Sequence, residues 1–340
     1  MNIDKPLVSV IIPTYNVEPF LLGCLDSINA QSYSYFECII IIDGATDYSY
    51  ELAKDYCSKH EKFKVFYQDN AGSGPARNLG IAQSTGDFIC FVDPDDWVEK
   101  NYISSLIEKQ LTNNYDLVVS QSIDHYFNLR YKEIGSNNNV KKIVDYLNQK
   151  ECRENFPALM FEYHLLDGPI CKLYKTAIIK DNHIEFPPYR RSQDIVFNFR
   201  YYNYIQSICV IPVFTYNVRI ETTKPINRGR IFTGYNEIVV KIYKELSTQL
   251  ESWHINVNYD TAFYSWCYWF LYFYISRSVV TKTPYKYIEQ EPYKTIIRNA
   301  RPKLRHHNVI RICIQYRLYS IANFLIRIID RLKNDKNRTK

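Results

Sequence analysis

Apolar runs rich in β-branched residues alternate with segments of helical periodicity through the first 120 residues, and this alternation constrains the fold more than any other feature. The runs lie at 7–12, 38–42, 63–67, 87–92 and 116–120, and the helical segments at 18–30, 48–60, 74–84 and 98–111. Strand, helix and strand in repetition predict a mainly parallel sheet wrapped by helices, an α/β fold. With 340 residues and 46% hydrophobic content, the chain can bury a full core as one large domain or two. Ligands in such folds bind beyond the carboxyl ends of the strands. The segments PTYN (13–16), DGATD (43–47) and DPDD (93–96) therefore share one rim.

The run DFICFV leads straight into Asp93, Asp95 and Asp96. Clustered carboxylates repel one another unless a positive group joins them, and a divalent cation with oxygen ligands does so directly. Mg²⁺ or Mn²⁺ takes one or two protein carboxylates and fills its octahedron with substrate phosphates and water. The alternative is that Asp95 or Asp96 caps a helix starting near Trp97. That alternative accounts less well for Asp93 and the apolar run before it.

Beyond residue 120 the pattern changes. The polar stretch GSNNNVKK (135–142) reads as a linker, after which the chain is mainly helical with a short β-like section at 207–218. The apolar stretch at 262–280 is rich in Tyr and broken by Ser and Arg, and reads as a buried aromatic helix rather than a membrane span. Nine cysteines occur singly with no CxxC pair, which predicts reduced thiols and a cytoplasmic setting. The N-terminal segment lacks a charged region followed by a long apolar one, so no signal peptide is expected.

Four segments, VSVIIPTYN (8–16), IIIIDGATDYS (39–49), NAGSGPARNLGIAQSTGDFICFVDPDDW (70–97) and QDIVFNFR (193–200), resemble the successive motifs of family-two glycosyltransferases with the GT-A fold. The resemblance covers 7–120 closely and 168–220 more loosely, and ends by about residue 230. It implies a Rossmann-like catalytic domain over 1–225 and a mainly helical extension over 226–340. By the same resemblance Pro13, Thr14 and Tyr15 hold the nucleoside, Asp43 accepts from the uracil ring, and Asp93 and Asp95 form the DxD pair, with Asp95 the direct ligand of Mn²⁺ or Mg²⁺. Arg77 faces the phosphates, where a fixed guanidinium suits their oxygens; its alternative is a surface ion pair. Asp194 matches the general base, with Gln193 replacing the preceding glutamate. Ile42 and Ala45 replace an aspartate and a serine that many relatives carry. Lys172 and Arg219 are further candidates for phosphate contact, Lys172 reading equally well as a solvated side chain.

The implied activity is inverting, metal-dependent transfer of a hexosyl or N-acetylhexosaminyl group. The donor would be a nucleotide sugar, a UDP-sugar for preference. The acceptor would be a saccharide, lipid-linked in the bacterial surface polysaccharide systems that such proteins serve. An inactive membrane-associated scaffold and a nucleotidyltransferase are the rival readings. A dinucleotide oxidoreductase is disfavoured because PTYNVEPF supplies no glycine at the first strand-to-helix turn. A nucleic-acid role leaves the carboxylate rim unexplained.

The net charge of +6 conceals a division. Residues 301–340 hold eleven Lys or Arg against Asp330 and Asp335, or +9, whereas the first 300 residues, with 31 basic and 34 acidic, sum to −3. From 309 to 332 one helix is predicted, with Ser320, Asn323, Arg327 and Arg331 on one side and Leu318, Ile321, Leu325, Ile328, Ile329 and Leu332 on the other. It would either lie on an anionic membrane, through 303–340 on the inner face of the plasma membrane, or pack its apolar side on the domain.

Overall fold

The computed structural model describes residues 5–128, 130–140, 142–163, 165, 167–221, 235–254, 259–278 and 288–338. It divides into two compact units. The first comprises Met1–Cys152 with Leu165–Ile220, the second Arg153–His164 with Glu221–Lys340.

The first unit opens with β1 (Val8–Thr14), α1 (Glu18–Asn29), β2 (Phe36–Asp43), α2 (Ser49–Lys59), β3 (Phe63–Gln68), α3 (Ser73–Gln83) and β4 (Phe88–Phe91). β1 pairs in parallel with β2 and β4, and β2 with β3. Every residue of β1 and β2 is buried, as expected of parallel strands covered on both faces. Ile11 shows how closely the cover sits: a Cβ on Gly80 of α3 would lie 2.3 Å from its Cγ2. The predicted alternation is thus present, and the carboxyl ends of β1, β2 and β4 lie along one edge.

After β4 come β5 (Trp97–Val98), α4 (Tyr102–Asn113), β6 (Leu117–Phe127), β7 (Glu133–Asn139), β8 (Asp145–Tyr146), α5 (Gln149–Pro157), β9 (Lys172–Lys175), α6 (Thr176–Asp181), α7 (Gln193–Tyr202) and β10 (Ile208–Glu221). The strand order is β3-β2-β1-β4-β9-β6-β10-β5, with β7 beside β6 and β8 beside β10. Pairings of β9 with β4 and β6, and of β10 with β5, are antiparallel. Helices cover both halves of the sheet, α2 and α3 lying on the parallel strands and α4 and α6 on β6 and β9.

Two expectations change here. The stretch at 135–142 is no linker over most of its length: β7 pairs antiparallel with β6, from Ser122↔Asn139 to Phe127↔Glu133. All its side chains are exposed, so the strand rests on backbone pairing and the His125–Glu133 contact at 2.9 Å, and no apolar alternation announces it. Lys141, in the same stretch, lies outside the described residues. Nor does a helix start near Trp97. Trp97 and Val98 pair with Asn217 and Tyr216, and α4 begins only at Tyr102.

The second unit holds a π-helical turn (Ala158–Glu162), α8 (Tyr235–Ser252), α9 (Tyr259–Ser278), α10 (Tyr293–Asn299), α11 (Arg305–Gln315) and α12 (Tyr319–Arg338). α9 is the predicted aromatic helix. Phe263, Trp266, Tyr268, Phe270, Leu271 and Ile275 are buried around its circumference, as befits a helix at the centre of a bundle. Among the described residues no helix is long and apolar enough to cross a membrane. The single helix expected at 309–332 is two, because Arg317 adopts a left-handed conformation (φ 60°) that ends α11. Among the described side chains of α12, Ala322 and Ile326 are buried, while Ile321, Phe324 and Ile328, with Leu318 just before the helix, remain exposed. Arg331, Leu332 and the basic end at 330–340 lie outside the residues whose side chains are described.

Candidate active site at the carboxyl edge of the parallel strands

The acidic segment after β4 is a folded turn. Asp96 N–H donates to the Asp93 carbonyl at 3.1 Å, with Pro94 at the second position, where its fixed φ favours such a turn. Tyr216 of β10 ties the turn together, its hydroxyl accepting from Asp93 N–H and donating to Asp96 Oδ2, both at 3.0 Å. Arg219 completes the frame: its N–H donates to Asp96 Oδ1 at 2.7 Å and its Nε to the Asp95 carbonyl at 3.0 Å. The Arg219 guanidinium lies over Phe127 at 4.2 Å and Phe20 at 4.6 Å, with Trp97 at 5.5 Å. It therefore braces the turn from an aromatic nest.

Asp96 is buried, and its carboxyl is pushed well above the usual range by desolvation and then by the charges of Asp93 and Asp95, against the Arg219 and Tyr216 hydrogen bonds. It holds the turn in shape, a role the helix-cap alternative did not foresee. Asp93 and Asp95 are only partly buried. Asp93 Oδ1 pairs at 2.8 Å with Arg77 Nη2.

Arg77 is no surface residue. It is 6% exposed on α3, 5.5 Å over the Phe186 ring, and its Nε has no hydrogen-bond partner. Its charge also reaches Asp194. Burial raises the Asp194 carboxyl above its ordinary value, Arg77 opposes that rise, and Asp167 adds to it. Asp194 is the second residue of α7. The preceding Gln193, where the sequence resemblance would place a glutamate, donates from Nε2 to Ser73 Oγ at 2.8 Å and so joins the first residue of α7 to the first of α3. Asp93, Arg77 and Asp194 are thereby brought together from three elements.

Other predicted residues lie differently. Asp43 is buried, and its carboxylate accepts from Gln68 Nε2 at 2.7 Å and from the backbone N–H groups of Ala71 and Gly72 at 2.8 Å each. About one of its roughly four lone-pair sites is left for a ligand. Its evident work is to fix the loop that enters α3, and Gly72 (φ 98°) adopts a backbone conformation there that side chains rarely allow. Pro13 and Thr14 are buried, and the Thr14 hydroxyl turns back to the Ile12 carbonyl at 3.3 Å. Only Tyr15 presents an exposed side chain. Lys172 is neither solvated nor on the acidic rim: fully buried, it donates to the Gly168 carbonyl at 2.7 Å and holds the loop before β9.

The donor set suits a hard cation in part. Asp93 and Asp95 offer carboxylate oxygens, and with Asp96 they place three acids beside the guanidinium groups of Arg77 and Arg219. Among the described residues no three His, Cys, Asp or Glu side chains converge as a metal cage. A divalent ion here would take its remaining ligands from a bound phosphate and water, as Mg²⁺ commonly does.

Residues 9–171 match glycosyl transferase family 2. The chain is 28% identical over 228 residues to EpsH of Bacillus subtilis, an alignment covering 66% of this chain and 64% of EpsH. It is 35% identical over 140 residues to the glycosyltransferase GlyA of Streptococcus pneumoniae, covering 41% of this chain and 20% of GlyA. The alignments thus span less than two thirds of either relative's own length. The crystal structure of S. aureus TarS 1-349 in complex with UDP-GlcNAc superposes with a TM-score of 0.61 at 19% identity, over 96% of this chain and 92% of that one. The likeness bears out the expected GT-A arrangement of sheet and helices followed by a helical region.

Proposed function

We propose that this chain, whose residues 9–171 belong to glycosyl transferase family 2, moves a sugar from a nucleotide sugar to a saccharide acceptor with inversion at the anomeric carbon. The observation that carries this proposal is Arg77, buried between Asp93 and the field of Asp194 with one nitrogen unpartnered. A guanidinium fixed against Asp93 places positive charge beside the rim, which suits phosphate oxygens, and the acid on its other flank suits proton removal. A UDP-sugar is the proposed donor; TarS has been crystallised with UDP-GlcNAc, and Asp43 retains an acceptor site.

In this mechanism Asp194 takes the proton from the acceptor hydroxyl as that oxygen bonds to the anomeric carbon, a contribution of roughly 10²–10⁴ in rate. The bond from that carbon to the diphosphate breaks, and the electron pair leaves with the nucleoside diphosphate. Arg77 meets the charge that develops there. Asp95 and Asp93 would hold Mn²⁺ or Mg²⁺, which when bound neutralises negative charge on the diphosphate. Attack from the face opposite the leaving group inverts the configuration.

Calorimetric titration of UDP with and without Mn²⁺ tests the donor half without knowledge of the acceptor. Binding should require the metal and be lost in Asp95→Asn. In Asp194→Asn, UDP binding should survive while turnover falls by at least ~10²-fold; unchanged turnover would remove Asp194 from the base role. We further propose that the acceptor is lipid-linked and that residues 303–340 hold the protein on an anionic membrane. Support comes from the exposed row Ile321, Phe324 and Ile328 on α12, with Leu318 just before it, in a tail of net charge +9.

A further inference from the structure

The second unit contains a cavity of about 530 Å³ between α9 and the segment joining α10 to α11. That size falls within the ~300–1,000 Å³ of small-molecule sites. Trp266, Tyr268 and Phe161 form its apolar wall, and Trp269 stands at its mouth 54% exposed, an unusual state for a Trp on an otherwise buried helix. Thr261 and Ser265 add hydroxyls, and Arg301, Lys303 and His307 line the other side. Among the described residues no Asp, Glu, Asn or Gln lines it.

Arg301 Nη1 donates to the carbonyls of Arg298 and Ala300 at 2.8 Å each, and its backbone N–H donates to Ser265 Oγ at 2.7 Å. These bonds fix the guanidinium without giving it an anion. Among the described residues neither Arg301 nor Lys303 has a carboxylate partner. Among the described residues the cavity therefore joins an aromatic platform to two positive charges that have no carboxylate partner. Aromatic faces pack well against the C–H faces of sugar rings, and a fixed guanidinium matches phosphate oxygens. A nucleobase is less well served, because the lining offers no amide or carboxylate to read its edge.

We propose that this cavity binds a phosphorylated saccharide, with the sugar ring against Trp269 and Trp266 and the phosphate at Arg301 and Lys303. The site is built entirely from the second unit and requires no part of the catalytic assignment. Glucose 1-phosphate, glucose and inorganic phosphate would be titrated into the full chain, with tryptophan fluorescence and calorimetry as readouts. Glucose 1-phosphate should bind at least ~10-fold more tightly than either fragment, since a charge-assisted hydrogen bond and ring contact act together. Trp269→Ala and Arg301→Gln should each weaken it by roughly 5–10-fold or more. Trp269 is exposed enough for its removal to leave the fold intact, and UDP binding by the same variant should be unchanged, which separates this site from the donor site. Four results would overturn the proposal: no binding at tens of millimolar, binding indifferent to both variants, phosphate binding as tightly as the sugar phosphate, or adenosine monophosphate binding more tightly. A fifth, displacement of glucose 1-phosphate by phosphatidylglycerol vesicles but not by neutral ones, would assign the cavity to a lipid headgroup instead.

Discussion

Arg77 links the two halves of the site, and two residue-scale predictions follow from its neighbours. The Asp194 carboxyl is raised by burial above its ordinary value of 3.8 and held down by the Arg77 charge. A base must be ionised to act, so kcat/KM should fall as pH drops through that raised pKa, placing the acidic limb above 3.8. Arg77→Gln removes the opposing charge and should move the limb to higher pH; a limb that stays in place would separate the two residues. Tyr216→Phe deletes the hydroxyl that joins Asp93 N–H to Asp96 Oδ2, leaving buried groups short of a partner. Thermal or urea unfolding should show a loss of about 1–3 kcal/mol, and metal-dependent UDP binding should weaken with it. The carboxylates of the rim were legible in the sequence because three acids after an apolar strand demand an explanation. Their supports were not. Tyr216 and Arg219 lie more than 120 residues downstream, and Gln193 read as a departure from the family rather than as the partner of Ser73.

At the scale of elements, the sequence was most informative where burial is two-sided. β1 to β4 and the helices between them fall within a few residues of the expected bounds, since strands buried on both faces must be apolar throughout. It was least informative where backbone pairing or one dihedral angle decides. β7 has no buried side chain to mark it, and a single left-handed residue at Arg317 divides the tail into two helices. Glu37 on β2 anchors the turn between α3 and β4. Burial alone would raise its carboxyl, but the Thr85 N–H, Lys64, Ser9 and the Thr85 hydroxyl outweigh that and bring it to about 2. A carboxylate with a depressed folded-state pKa stabilises the protein above its unfolded value and loses that contribution as pH falls. Unfolding followed between pH 5 and 2 should therefore show stability declining from about 4.5 toward 2. Glu37→Gln should cost about 1–3 kcal/mol at neutral pH and flatten this decline.

At the scale of the whole molecule, charge and chemistry are divided along the chain. The acidic rim belongs to the first unit, and the tail of net charge +9 belongs to the second. If the exposed apolar row on α12 enters an anionic bilayer, flotation with phosphatidylglycerol vesicles should carry the protein upward at low salt. Replacing Ile321 and Phe324 together by Glu should leave it at the bottom, with UDP binding intact; flotation by the double variant would detach the tail from this role. The turn at 93–96 carries one more consequence, for the order in which the protein is made. Its shape depends on Tyr216 and Arg219, so it stays unformed until the ribosome has added some 120 further residues, an interval on the order of ten seconds. Residues 9–171, the span that family 2 covers, leave the ribosome without these two supports and without Asp194. The rim at 93–96 is therefore among the last parts of the first unit to take shape, and on the function proposed above a nascent chain would gain its grip on a diphosphate only when Asp194, the proposed base, has already been made.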